Sequence, residues 1–312
     1  MIDTVTITNL DTASETSVTI SLRKPETSGY YIKSIDGLGP VKANIITSDS
    51  PLKDGSYFNS ARGEDRNLVI HLGFLWSSNY EIEQLREQTY VFTPYKANVR
   101  ITVKKENGSE YYVEGYVESN EPDIFSKDEG CDISIICPDV YWKSSTEYSS
   151  IFSTGSGSFE FPFSNESLTS NLIEFGEPSN VGKAIVNYAS TQPYGMLIRV
   201  LVEGYIDQIR ISNPDFNEIT VINYDFQPRD TIEINTIQGK KSVNLLRRGN
   251  MTNILGAWDR NSDWVTLHPG KNRIYLYPSK MVYWDNDLTK SGKLFNGYTN
   301  GELHYNYIYE GI

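Results

Sequence analysis

Between Gly130 and Trp142 the chain reads GCDISIICPDVYW, and this stretch constrains the fold more than any other. Cys131, Ile133, Ile135 and Cys137 alternate onto one face of an extended strand, leaving Asp132, Ser134 and Ile136 on the other. Pro138 ends the ladder, because it has no N–H to donate and its φ is fixed. Tyr141 and Trp142 follow, large apolar bodies with polar tips that suit a seam between packed units. Then comes a polar run, KSSTEYSS. The pattern predicts the last strand of a first domain, an aromatic corner and a linker. A length of 312 residues is long for one core and comfortable for two.

Tyrosine is unusually frequent, at 22, and with the many Val, Ile and Thr it marks a β-rich chain. A formal net charge of −12 argues against a binder of nucleic-acid backbone, which needs basic stripes. The same charge suits the wall of a conduit to which DNA must not stick. The opening residues, MIDTVTITNLD, carry neither a basic nor an apolar leader segment, and no apolar run approaches the ~20 residues of a membrane span. On one strand face Cys131 and Cys137 would lie about 20 Å apart, beyond the ~7 Å reach of a disulfide. Two buried thiols fit a reducing cytoplasm. With no second Cys/His pair nearby, neither a metal nor a cofactor is expected.

Residues 4–10 and 16–23 alternate as strands around the turn DTASE, followed by strands at 30–35 and 41–46. From Ser48 to Arg66 runs a polar excursion, read as a long loop that is functional or ordered by a partner. Leu68–Trp76 returns as a strand. Asn79–Phe92 is the one convincing helix: Ser78 and Glu81 form a capping box, Ile82, Leu85, Thr89 and Phe92 share a face, and Pro94 stops it. A hairpin from 97–105 to 110–118 turns at Asn107-Gly108. These elements predict an α+β first domain, a mixed sheet carrying one helix. The second half reads as short strands at 151–153, 158–163, 171–175, 182–189, 195–203, 206–212, 218–223, 230–236, 241–246, 263–267 and 271–277. Such even spacing argues for a sandwich or jelly roll.

Candidate chemistry is sparse. His71 sits mid-strand in VIHLG and reads as a histidine on a packed face; His268 and His304 read as surface residues. There is no GxSxG, HExxH, Walker A or dinucleotide fingerprint, and Thr154–Ser158 is a flexible linker rather than a phosphate loop. Trp258 and Trp264, with Tyr275 and Tyr277, could form a sugar-stacking platform, although aromatics in a β-rich chain are more often core. Arg62 and Arg66, in the long loop, could make bidentate bonds to carboxylates of a neighbouring copy.

Several stretches, in order, resemble the distal tail (Dit) family of long-tailed bacteriophages. They are Tyr30–Pro40 (YYIKSIDGLGP), Asp54–Phe58 (DGSYF) with Arg62 and Arg66, Gly115–Glu118 (GYVE), Cys137–Trp142 (CPDVYW) and Leu267–Ile274 (LHPGKNRI). Val140 departs from the pattern, standing where a second proline is expected. The resemblance implies a non-enzymatic structural protein of the virion tail tip or baseplate, assembled in the host cytoplasm. It implies an N-terminal ring-forming domain (1–145), split-barrel with one helix, and a C-terminal galectin-like β-sandwich (146–312). A hexameric ring would join the tail tube protein to the tail-associated hub or lysin protein and support receptor-binding proteins, with DNA only passing through its lumen. Subunit contacts are expected at Tyr57, Phe58, Arg62 and Arg66. The alternative is a carbohydrate-binding module attaching to host cell-wall polysaccharide through Trp258 and Trp264.

Overall fold

The structure, a computed structural model, describes residues 1–11, 16–49, 54–77, 80–155, 178–278 and 299–312. Among these residues the chain is mainly β, with one α-helix and two short 3-10 turns. It divides into two compact units, Met1–Thr146 with Ile308–Ile312, and Glu147–Tyr307. Residues 308–312, expected with the second domain, thus pack with the first.

In the first unit, β1 (Ile2–Asn9), β2 (Thr16–Ser21), β3 (Tyr30–Asp36), β6 (Arg66–Phe74), β7 (Asn98–Lys105), β8 (Glu110–Asp123) and β9 (Gly130–Cys137) form a sheet in the order β2-β1-β7-β8-β9-β6-β3. The short β10 (Trp142–Ser144) joins it through β8, and β22 (Ile308–Tyr309) joins through β10. Every pairing is antiparallel, which corrects the mixed sheet expected from the sequence. The reason is local: β1–β2, β7–β8 and β8–β9 are successive strands joined by short reversals, and such neighbours run in opposite directions. Laid flat, seven strands would span about 29 Å, yet the edge strands β2 and β3 touch. The sheet therefore curls on itself around its own core.

That core is the inner face of the alternation: Leu68, Ile70 and Leu72 on β6, Val99, Ile101 and Val103 on β7, and Cys131, Ile133, Ile135 and Cys137 on β9. The helix α1 (Ile82–Phe92) closes it with Leu85, Thr89 and Phe92. Tyr30 reaches across, its hydroxyl donating to the Leu85 carbonyl at 2.8 Å and its ring edge-on to Phe74 and Phe92. The helix starts later than expected. Ser78 and Asn79 lie outside the described residues, and Glu81 at the N-cap makes no side-chain cap bond. The Asn107-Gly108 turn forms as expected, with Gly108 at φ +83° and the Asn107 side chain accepting from the Ser109 N–H at 3.1 Å. Both thiols are free and buried, and burial pushes them up to about 12.

The polar run after Trp142 is not a linker. Lys143 and Ser144 are buried in β10, and Tyr148–Ile151 is the strand β11. In the second unit a six-stranded sheet runs β11-β21-β14-β17-β18-β19, where β14 is Leu197–Val202, β17 Thr231–Asn235, β18 Ser242–Arg247, β19 Asn250–Asn253 and β21 Thr299–Tyr305. A five-stranded sheet runs β12-β13-β20-β15-β16, with β12 Ser153–Gly155, β13 Pro178–Tyr188, β15 Ile206–Asn213, β16 Glu218–Phe226 and β20 Gly270–Pro278. The sheets pack face to face. A Cβ added at Gly301 of β21 would meet Leu276 of β20 at 3.0 Å, and Phe152 fills the space beside both. The expected strand at 263–267 is instead irregular chain with one bridge, Leu267 to Tyr194. The strands expected at 158–163 and 171–175 lie outside the described residues, while β19 and β21 were not expected.

Candidate functional site

The expected long loop before Arg66 is a β-ribbon. Among the described residues β4 (Ala43–Asp49) pairs only with β5 (Ser56–Gly63), a two-stranded sheet separate from the others. Every residue of β5 is exposed, as is every residue of β4 but Asn44. Ile45 is 59% exposed, Tyr57 51% and Phe58 67%; Ile46 is also open. Adjacent strand residues point to opposite faces, so the pairs Ile45-Ile46 and Tyr57-Phe58 put large apolar groups on both sides of the ribbon. An isolated two-stranded ribbon is marginal by itself. Large apolar groups exposed on both faces of such a ribbon mark it as a candidate interaction surface. Arg62 lies on the same exposed strand, opposite Asn44.

Arg66 does not belong with these residues. It is 1% exposed, at the first position of β6. Its Nε and Nη2 both donate to the Val140 carbonyl, at 3.0 and 2.7 Å, and Nη2 also donates to the Glu310 carbonyl at 2.7 Å. Nη1 donates to the carbonyls of Gly37 and, at 2.7 Å, Gly39. The guanidinium lies over the Trp142 ring, 5.6 Å from its centroid. Burial lowers its pKa from the ordinary arginine value. All its donors are spent inside its own chain, so the expectation of a contact to a neighbouring copy is withdrawn for Arg66.

A second surface in the first unit escaped the sequence reading. Tyr95, Lys96, Tyr116, Val117, Glu118 and Ile136 line an open depression of about 390 Å³, with Tyr95 73% exposed. Its signal was available: Tyr116 and Ile136 alternate with buried Val117, Ile135 and Cys137, and so face away from the core.

The histidines differ from expectation. His71 faces away from the packed side and holds two carboxylates, Asp132 at 2.7 Å and Asp36 at 3.5 Å. These raise its pKa, the Asp132 hydrogen bond most. His268 is partly buried, stacked 3.8 Å from Phe216 with Nε2 2.8 Å from Glu218. His304 lies 3.0 Å from Glu302. Trp258 and Trp264 stack on each other, centroids 5.2 Å apart at 15°, and Lys241 sits over Trp264. Each indole thus gives one face to the other, which reduces the platform expected for sugar. Among the described residues no cluster of His, Cys, Asp or Glu could hold a metal ion, and no helix is long and apolar enough to cross a membrane.

Residues 189–285 match the family described as the siphovirus-type tail component, C-terminal domain. No curated protein sequence matches the chain. Among solved structures it is similar to the Dit protein of phage SPP1, at 13% identity and a TM-score of 0.61, over 98% of this chain and 99% of that one. It is also similar to a chain of the phage P2 baseplate in its activated conformation with calcium, at 11% identity and a TM-score of 0.51, over 97% and 98%. The strontium form of that baseplate gives 12%, 0.51, and 97% of each chain. At such identities the three likenesses establish a shared fold across both units.

Proposed function

We propose, on the premise that this chain belongs to the distal tail (Dit) family of siphovirus-type tail components, that it is the structural ring protein of a phage tail tip. It is a baseplate component of the virion and not an enzyme. Copies assemble head to tail into a hexameric ring that joins the tail tube to the hub and supports the host-adhesion proteins, with DNA passing through the lumen. The second unit is a galectin-like sandwich. The described likenesses to the SPP1 Dit protein, whose structure is presented as a paradigm of a hub adsorption apparatus, and to the P2 baseplate support this reading.

The observation that carries it is the β4–β5 ribbon, with apolar groups bare on both faces. Head-to-tail closure needs two different surfaces on each copy. The ribbon, with Tyr57, Phe58 and Arg62, is one; the depression around Tyr95 and Tyr116 is the other. The test is a paired substitution, Tyr57→Asp with Phe58→Asp, in the full chain. Aromatic anchors at the centre of a contact commonly dominate it, so the pair should raise the concentration needed for ring assembly about a hundredfold or more. Circular dichroism and the unfolding midpoint should stay at wild-type values. Light scattering and incorporation into tail particles give the readout. Rings or tails that form equally well with both aspartates in place would overturn the ribbon's role.

A further inference from the structure

In the second unit, the end of β16, the start of β15 and the end of β18 surround an open depression of about 650 Å³ lined by Asp207, Asn223, Tyr224, Asp225, Gln227 and Arg247. That is within the range of ~300–1,000 Å³ usual for small-molecule sites. A β-bulge shapes it. Ile206 pairs with Phe226 and Gln208 with Asn223, so Tyr224 and Asp225 together face the single residue Asp207. Bulges on edge strands re-aim side chains and recur beside binding sites, and β16 is an edge strand of its sheet.

Several polar groups at this depression are not consumed by the fold. Among the described residues the Asp225 carboxylate and the Gln227 side-chain amide make no hydrogen bond within the chain. Asn223 uses only Oδ1, which accepts from Gln208 Nε2 at 2.7 Å. Arg247 uses Nε and Nη2 on the Asp230 carboxylate and the Asp225 carbonyl, which leaves both Nη1 hydrogens unspent. The partly exposed Tyr224 ring supplies an apolar wall, braced by the guanidinium at 5.7 Å.

This mixture selects among ligand classes. The Arg247 charge is matched by Asp230, and the Asp225 carboxylate makes the depression unfavourable to phosphate or carboxylate. A metal ion lacks its ligand set among the described residues. A neutral ring carrying many hydroxyls fits, since it both donates to carboxylates and accepts from Arg and amide groups, and it has an apolar face for an aromatic ring. We propose that this depression binds a neutral pyranose sugar, apart from the stacked Trp258–Trp264 pair and independently of ring assembly.

The experiment titrates the full chain with glucose, galactose and N-acetylglucosamine, read by saturation-transfer NMR and calorimetry, with inorganic phosphate as the anionic control. At least one of the three sugars should bind saturably. Tyr224→Ala and Asp225→Asn should each weaken that binding about tenfold or more, with thermal midpoints unchanged, and Trp258→Ala should leave it intact. The isosteric Asp225→Asn decides the matter if Tyr224→Ala disturbs the fold. The proposal is overturned by no saturable binding of any of the three sugars, by binding that survives Asp225→Asn, by loss on Trp258→Ala alone, or by preference for phosphate.

Discussion

Arg66 makes five hydrogen bonds to four backbone carbonyls, Gly37, Gly39, Val140 and Glu310, drawn from three separate stretches of chain. Its removal would leave buried acceptors with no donor, at about 1–3 kcal/mol for each. Arg66→Ala should therefore destabilise the first unit by at least about 3 kcal/mol in urea titration, whereas Arg62→Ala, on the exposed ribbon, should cost almost nothing in the isolated chain. An equal effect of the two would contradict this assignment. The sequence held the clue: Arg66 alternates with Leu68, Ile70 and Leu72 and so belongs to the core face. Its neighbours in a polar stretch obscured that. His71 was misread by the opposite route, because its apolar neighbours hid the fact that it alternates with Asn67 and Val69 on the outer face. Pairing places Asp132 directly across from it. Since these carboxylates raise the pKa of folded His71 above its ordinary value of about 6.5, the stabilisation is complete below that pH. It fades as pH rises through the raised value. Wild-type protein should gain stability over His71→Gln in mildly acidic solution and lose that gain progressively as the solution is made alkaline, a change of no more than about 1 kcal/mol for so exposed a pair. A gain that grew with pH would refute it.

Among elements, those with one buried face were legible. β1, β6, β7 and β9 alternate cleanly because one side of each meets the core, and α1 shows the matching helical spacing. The ribbon was not legible. Its strand SYFNSARG is exposed on both faces, so no burial period is written into it. β10 was hidden for another reason: Lys143 is buried with its charge matched by Asp139 at 2.8 Å, a pairing that composition cannot announce. β22 is too short to carry a period, yet it completes the first unit. Ile308 is fully buried, Tyr309 lies edge-on to Tyr111 at 4.9 Å, and Glu310 caps Arg66. Removing residues 308–312 forfeits about 1.5–3 kcal/mol for the isoleucine alone. The first unit's unfolding transition should move to lower urea, while the second unit's transition stays where it was. Unchanged stability of the first unit would show that β22 is dispensable.

At the scale of the whole molecule, the sandwich was recognisable from the regular punctuation of short strands, and the closing strand β21 was missed because its sequence, TNGELHY, mixes Gly, Asn and Glu with few apolar residues. The paths of the two units are nested: the chain leaves the first unit after Thr146 and re-enters it at Ile308. During synthesis, then, Arg66 has emerged and its strand can pair long before Glu310, 244 positions later, exists to receive its last N–H. The front unit cannot reach its finished form until translation has passed through the entire sandwich. A copy cut short within the sandwich would carry a front unit that lacks its last strand and one acceptor of its buried arginine.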